Sequence, residues 1–189
     1  MCGRDWSSDV CSSDLNIELY VPKVEDLWFR AECMNDPSTM SYNAGYNLTF
    51  DGYHYDTGCI DFPELSYKTW AEEKLTNPNF YYAYIVDKDT KRFVGYLNFN
   101  INPDTKSATM GIVIKSNYRG QGYMRPALNL MIEEARKRDN LLTLVDTVPA
   151  SRKPALNVFL SAGFTITKEF TSKKFGKDET IFEIQKVLK

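Results

Sequence analysis

Between Gly111 and Tyr123 an apolar run, Gly-Ile-Val-Ile, passes into the polar stretch Lys-Ser-Asn-Tyr-Arg-Gly-Gln-Gly, and a long amphipathic segment follows at once. No other feature limits the fold as much, because a strand must end, turn through two glycines and start a helix within a few residues. Such a junction aims free backbone N–H groups and the positive end of a helix dipole at one point, which suits a phosphate or pyrophosphate. Glycine adds left-handed backbone and close approach of a ligand to the main chain. An ordinary strand-to-helix turn has the same local pattern. Two other glycine loops do not fit. The Walker loop needs Lys-Ser or Lys-Thr after its last glycine, where Tyr123-Met124 stands, and the dinucleotide fingerprint needs three glycines in fixed register.

The rest of the chain organises around this junction. Ile17 to Val21 reads as a short strand and Val24 to Met34 as a helix stopped by Asp36-Pro37. Residues 38–62 carry no steady period but hold Tyr42, Tyr46, Phe50, Tyr53 and Tyr55, too many aromatics for a disordered loop. Pro63 suits the first turn of a helix reaching about Leu75. Strands are predicted at 80–86, 93–101 and 108–114, a helix from about Gly122 to Arg138, and a strand at 141–145. A helix follows, with Ser151 as N-cap, Pro154 in its first turn and Gly163 as its stop, and strands at 164–170 and 180–187 close the chain. Strands that run first in hairpins and then alternate with helices imply an α+β fold, a mixed and mostly antiparallel sheet flanked by about four helices.

Composition narrows the class. The first fifteen residues, Met1 to Leu15, contain Ser-Ser-Asp twice and have no helix or strand period. Their acids and missing apolar run exclude a signal peptide. Arg4 to Leu15 resembles a translated sequencing adapter, so residues 1–15 are read as a non-native or disordered tail and 16–189 as a single domain. Leaving out that segment's one base and three acids takes 23 basic and 25 acidic residues to 22 of each. A neutral chain without a basic patch argues against nucleic-acid and membrane partners. Cys33 and Cys59 are then the remaining cysteines, which make neither a disulfide framework nor a zinc site, and a reducing, cytoplasmic setting is expected.

The glycine loop resembles the coenzyme A signature of the GNAT acetyltransferases, (Gln/Arg)-x-x-Gly-x-(Gly/Ala). Arg119 fills the first position and Gly122 the fourth, while Met124 departs from the last. Val113-Ile114 is similar to the family's splayed strand, Phe80 to Val94 to its central hairpin, and Pro154 to Phe164, ending in Gly-Phe, to its later helix. The resemblance spans residues 16–189. It implies acetyl-CoA as co-substrate, no metal, and direct transfer to an amine in a ternary complex. It also implies a coenzyme site at Ile112, Val113, Ile114, Arg119, Gly120, Gln121, Gly122, Tyr123 and Met124. Backbone N–H groups near Val113 or Ile114 are candidates for holding the thioester carbonyl, and Arg152 and Lys153 for meeting the coenzyme's phosphates.

The catalytic side chains depart from the family pattern. Phe159 stands where many relatives carry a tyrosine that protonates the leaving thiolate, so Tyr118, Tyr123, Ser161 or water must substitute. Ser107 to Ile114 holds no carboxylate, where many relatives carry a glutamate. Asp146 is the first choice for general base, against a turn or capping role before Pro149. His54, the single histidine, is the second choice, with a side chain that titrates near neutrality. Asp56, Asp61 and Glu64 are weaker alternatives. Tyr42, Tyr46 and Tyr53, with Asp61, are read as the acceptor wall, where aromatic faces would meet an ammonium. The expected acceptor is a small amine, an antibiotic-like amine or a peptide N-terminus. The rival readings are a weakly catalytic coenzyme-binding sensor and a longer acyl donor, and strand exchange near the C-terminus is a route to a homodimer.

Overall fold

The computed structural model describes residues 15–189. Seven strands, β1 (Ile17–Tyr20), β2 (Phe80–Asp87), β3 (Arg92–Asn102), β4 (Ser107–Ile114), β5 (Thr143–Pro149), β6 (Thr165–Lys174) and β7 (Lys177–Val187), form one sheet in the order β1-β2-β3-β4-β5-β7-β6. All neighbours are antiparallel except β4 and β5. The five helices are α1 (Trp28–Asn35), α2 (Pro37–Met40), α3 (Tyr67–Lys74), α4 (Met124–Arg136) and α5 (Lys153–Ser161). The expected α+β architecture is present, with α2 as the helix beyond the expected four.

The parallel pair shapes the molecule. β4 and β5 are in register only at Ser107, Ala108 and Thr109 against Thr143, Leu144 and Val145. Beyond Thr109 the strands part. β4 stays paired with β3 up to Ile114, and β5 with β7 up to Pro149. A wedge therefore opens in the middle of the sheet, toward the glycine loop.

Helices cover both faces. α4 buries Ala127, Leu128, Met131, Ile132 and Ala135, which recur at helical spacing, in a cluster with Leu97, Leu144, Phe159 and Ile184. Each fully buried leucine or methionine there contributes about 1.5–3 kcal/mol. On the other face Phe29 of α1 and Trp70 of α3 pack on Tyr82, Tyr84 and Tyr96, as edge-on or stacked rings.

Two expectations change on contact with the structure, the helix at 24–34 and the Ser151 cap. The predicted Val24–Met34 helix is a 3-10 turn at Val24–Asp26 followed by α1. Asp36 ends α1 as expected, in extended backbone, and its carboxylate accepts from the N–H groups of Ser38 and Thr39 at 3.1 Å to start α2. Ser151 is not the cap of α5, because its hydroxyl donates to Glu179 at 2.6 Å and Arg152 takes the cap position. The segment 38–62 is ordered through turns and a Tyr53–Ile60 bridge. The tail reading falls outside the described residues except for Leu15, which packs against the main core.

Candidate active site

The wedge and the glycine loop together line a cleft of about 550 Å³. One wall is β4 at Ile112, Val113 and Ile114, and the opposite wall is β5 at Asp146, Thr147 and Val148. Arg119, Gly120, Gly122 and Met124 close one end, and the first turns of α5 with Phe159 form the side.

The strand edge inside the wedge is unpaired by construction of the sheet. Lys115 donates its N–H to Val94 of β3 at 3.0 Å. Backbone groups alternate along an antiparallel strand, so Val113 also turns to β3, and Ile112 and Ile114 turn their N–H groups into the wedge. Of the two residues expected to offer an N–H, Ile114 is the one whose N–H faces the wedge.

At the loop, Gly120 and Gly122 have φ of +75° and +88°, the left-handed region where other residues are strained. A Cβ on Gly120 would meet nothing within 4 Å, and one on Gly122 only Leu15 at 3.5 Å. No side chain caps α4 and no acid lies in its first turn. The N–H groups of Met124 and Arg125 thus remain for an anion. These features fit the pyrophosphate of a coenzyme A, and the wedge fits an extended arm with amide groups.

Residues 45–164 match the model of the acetyltransferase (GNAT) family. The chain belongs to the GNAT family. It is an acyltransferase that uses acetyl-CoA. The spermidine N-acetyltransferase from Vibrio cholerae, solved in complex with CoA and spermine, superposes with a TM-score of 0.74 at 16% identity, over 91% of this chain and 95% of that one. A dodecameric structure of that enzyme in an intermediate state gives 0.71 at 15%, over 91% and 94%. At such identity the likeness shows the fold alone. No curated protein sequence matches the chain.

The GNAT signature residues play different parts. The Arg119 side chain is a clamp: Nε donates to Ile114 O at 3.0 Å, Nη1 to Ser38 O at 2.9 Å and Nη2 to Thr39 O. Burial and nearby Arg152 lower its affinity for its proton. Ser116 completes the joint, with its N–H on Thr39 Oγ1 and its hydroxyl on Asp36, both at 2.9 Å. Gln121 donates to Asn117 O at 2.9 Å and is not in the cleft lining. Met124 lines the cleft directly.

Asp146 lies in the β5 wall of the cleft. The residue is partly exposed, but its carboxyl lies deep in the β5 wall, and burial pushes its pKa up to about 7, against an N–H bond from Thr147 and the charge of Arg152. His54 is elsewhere: Nε2 pairs with Asp61 Oδ1 at 2.9 Å on the exposed side of the 38–62 segment. Neither His54 nor Asp61 lines the cleft.

Of the expected acceptor wall, the structure brings only Tyr42 to the cleft. Tyr46 donates its hydroxyl to Glu179 on β7, and Tyr53 donates to the carbonyls of Asn43 and Tyr46 at 2.7 and 2.8 Å. These two hold the loop rather than face the wedge. Among the substitutes for the missing tyrosine, Tyr123 is buried with its hydroxyl on Asp87, which together push its pKa up to about 12. The Ser161 hydroxyl donates to Val158 O at 2.9 Å and accepts from Arg125. Tyr118 lines the cleft, and its hydroxyl makes no hydrogen bond among the described residues. Sequence reasoning missed Thr147 and Val148, which adjoin Asp146 and were readable from the same strand end.

Proposed function

We propose that this GNAT enzyme moves the acetyl group of acetyl-CoA directly to the primary amine of a small molecule or a peptide N-terminus, with both substrates bound at once. The observation that carries this reading is the Asp146 carboxyl in one wall of the wedge, across from the unpaired N–H groups of Ile112 and Ile114 in the other. Bound in the wedge, acetyl-CoA would supply the acetyl thioester, and the β4 edge at Ile112 and Ile114 would hold it.

Asp146 accepts a proton from the acceptor's ammonium, which frees the nitrogen lone pair. The Ile112 and Ile114 N–H groups hold the carbonyl oxygen while negative charge grows on it. The new C–N bond forms as the C–S bond breaks. Tyr118 gives the leaving sulfur its proton, and Phe159 packs the side of the site. The amide nitrogen loses its second proton to solvent, Tyr118 regains a proton as Asp146 releases one, and the sum is ammonium plus thioester to amide, thiol and one proton.

Residues 16–189 are assigned to one catalytic domain in the cytoplasm, and the exposed edge strand β6 is the surface through which a homodimer would pair. No described helix is long and apolar enough to cross a membrane. Phe159 favours one rival, a coenzyme-binding sensor without turnover.

Thermal unfolding with acetyl-CoA tests the first half of the reading. Ligand at a hundred times its Kd adds about 2.7 kcal/mol, a rise in Tm of roughly 5–10 °C for a domain of this size. Gly122→Glu, which leaves the Arg119 clamp in place, should fold and lose that rise. Thiol release with an amine panel tests the second half. Binding without release establishes the sensor, and preference for propionyl- or succinyl-CoA replaces the acetyl assignment.

A further inference from the structure

Arg152 is a cation of the cleft lining that the fold does not use. It sits just before α5, and its guanidinium lies over the Tyr42 ring at 5.6 Å. Among the described residues that side chain makes no hydrogen bond and no ion pair. Its charge acts on Tyr42, Tyr46, Asp146 and Glu179, and on Arg119 as well. Four of these belong to the 38–62 loop, β5 and β7, so the guanidinium over Tyr42 lies within reach of the Asp146 side of the cleft.

The surroundings are short of free negative charge. Asp146 is the one acid in the cleft lining. Glu179 already accepts from Tyr46 and Ser151. Behind Tyr42, Arg30 is stacked on Trp70 at 4.6 Å and Phe62 at 4.9 Å, with its Nε buried and unpartnered. A second positive centre therefore backs the same wall. An acceptor carrying a further ammonium would find no carboxylate for it, whereas a guanidinium fork matches a carboxylate well.

We infer that the acceptor is a zwitterionic amine, of the class of free amino acids, whose carboxylate is held by Arg152 while its amine faces Asp146. This rests on the acetyl-transfer reading above. It separates the enzyme from amines whose other end is cationic, because potential of one sign selects against them.

The test uses the full chain, acetyl-CoA and three acceptor sets: free amino acids, their methyl esters, and spermidine. Thiol release gives kcat and KM, and calorimetry gives the Kd for acetyl-CoA. At least one amino acid should be used with kcat/KM about tenfold or more above its ester and above spermidine, a gap the size of one well-placed charge. Arg152→Gln should raise KM for that amino acid and narrow the gap, with Kd for acetyl-CoA unchanged. Arg152→Lys, which keeps the charge, should recover part of it. Preference for the ester or spermidine overturns the inference, as does an Arg152→Gln variant that weakens acetyl-CoA instead. Acetyl-CoA binding with no amino acid turned over also overturns it. A chain that does not bind acetyl-CoA at all counts against the parent reading.

Discussion

The hydroxyl of Tyr123 donates to Oδ2 of Asp87 at 2.5 Å, tying the residue before α4 to the end of β2. Asp87 also accepts from the N–H groups of Asp89 and Thr90 at 3.0 and 2.9 Å, so one carboxylate fixes both a hairpin turn and the start of α4.

Tyr123→Phe should lower stability by about 1–2 kcal/mol, as loss of a hydrogen bond to a charged group does. Tyr123 is also the largest influence holding the Asp87 carboxyl below its usual range. That stabilisation is complete above the unfolded carboxylate pKa near 4 and fades as pH falls through the folded value. Urea melts at pH 3 to 7 should therefore show a smaller loss of stability with acid in the variant. Tyr118→Phe should do the reverse, keeping stability and lowering kcat about 10–100-fold.

Asp146→Asn should cut kcat by roughly 10²–10⁴-fold while leaving the Kd for acetyl-CoA close to the parent value. Parent activity should rise with pH through about 7, as the carboxyl loses its proton. Its folded pKa is raised, so ionisation in the unfolded chain favours unfolding between about pH 4 and 7. The Asn variant should thus gain stability relative to the parent as pH rises across that window. A variant that loses both activity and stability at pH 7 would mark Asp146 as structural.

Arg119→Lys keeps the charge but not the fork that reaches Ile114, Ser38 and Thr39. The side chain is largely exposed, so about 1–2 kcal/mol of stability should be lost in a denaturant melt. Acetyl-CoA should bind more weakly, because the loop holding Gly120 loses its tie to α2. A variant of parent stability with weaker coenzyme binding would assign the guanidinium to the phosphates directly.

Gly45 has φ +81°, and a Cβ there would lie 2.4 Å from the Phe175 ring. Phe175 returns an N–H bond to Gly45 O at 2.8 Å and meets Tyr55 edge-on at 5.6 Å. Gly45→Ala should cost about 1–3 kcal/mol from backbone strain and the clash together. Phe175→Asn makes the Asn-Gly pair that a two-residue hairpin favours and removes the ring. In that background Gly45→Ala should cost measurably less, a coupling that a double-mutant cycle reads.

Local signals and long-range ones parted company in this chain. The α4 helix was legible because its apolar residues repeat at helical spacing, and the loop before it because two glycines and an apolar strand sit side by side. Ser151 obeyed the local rule for a helix cap, but Glu179 lies 28 positions later and takes its hydroxyl. The tyrosines of the 38–62 segment were legible as a group. Which of them reaches the wedge was not, since Tyr46 is claimed by β7 and Tyr53 by the backbone of its own loop. His54 looked reactive for its chemistry alone, and its partner Asp61 is a surface residue like itself. Asp146 could be nominated from its strand end, but its raised pKa depends on atoms that only the folded wedge gathers around it.

The early parting of β4 and β5 gives the molecule two lifetimes. A sheet whose central seam is closed by three residue pairs begins to unzip there, so amides at the far ends of those strands should exchange first. A ligand laid along the seam acts as a splint. The half-life of the protein against heat or protease should then follow the coenzyme level around it, long where acetyl-CoA is plentiful and short where it runs out.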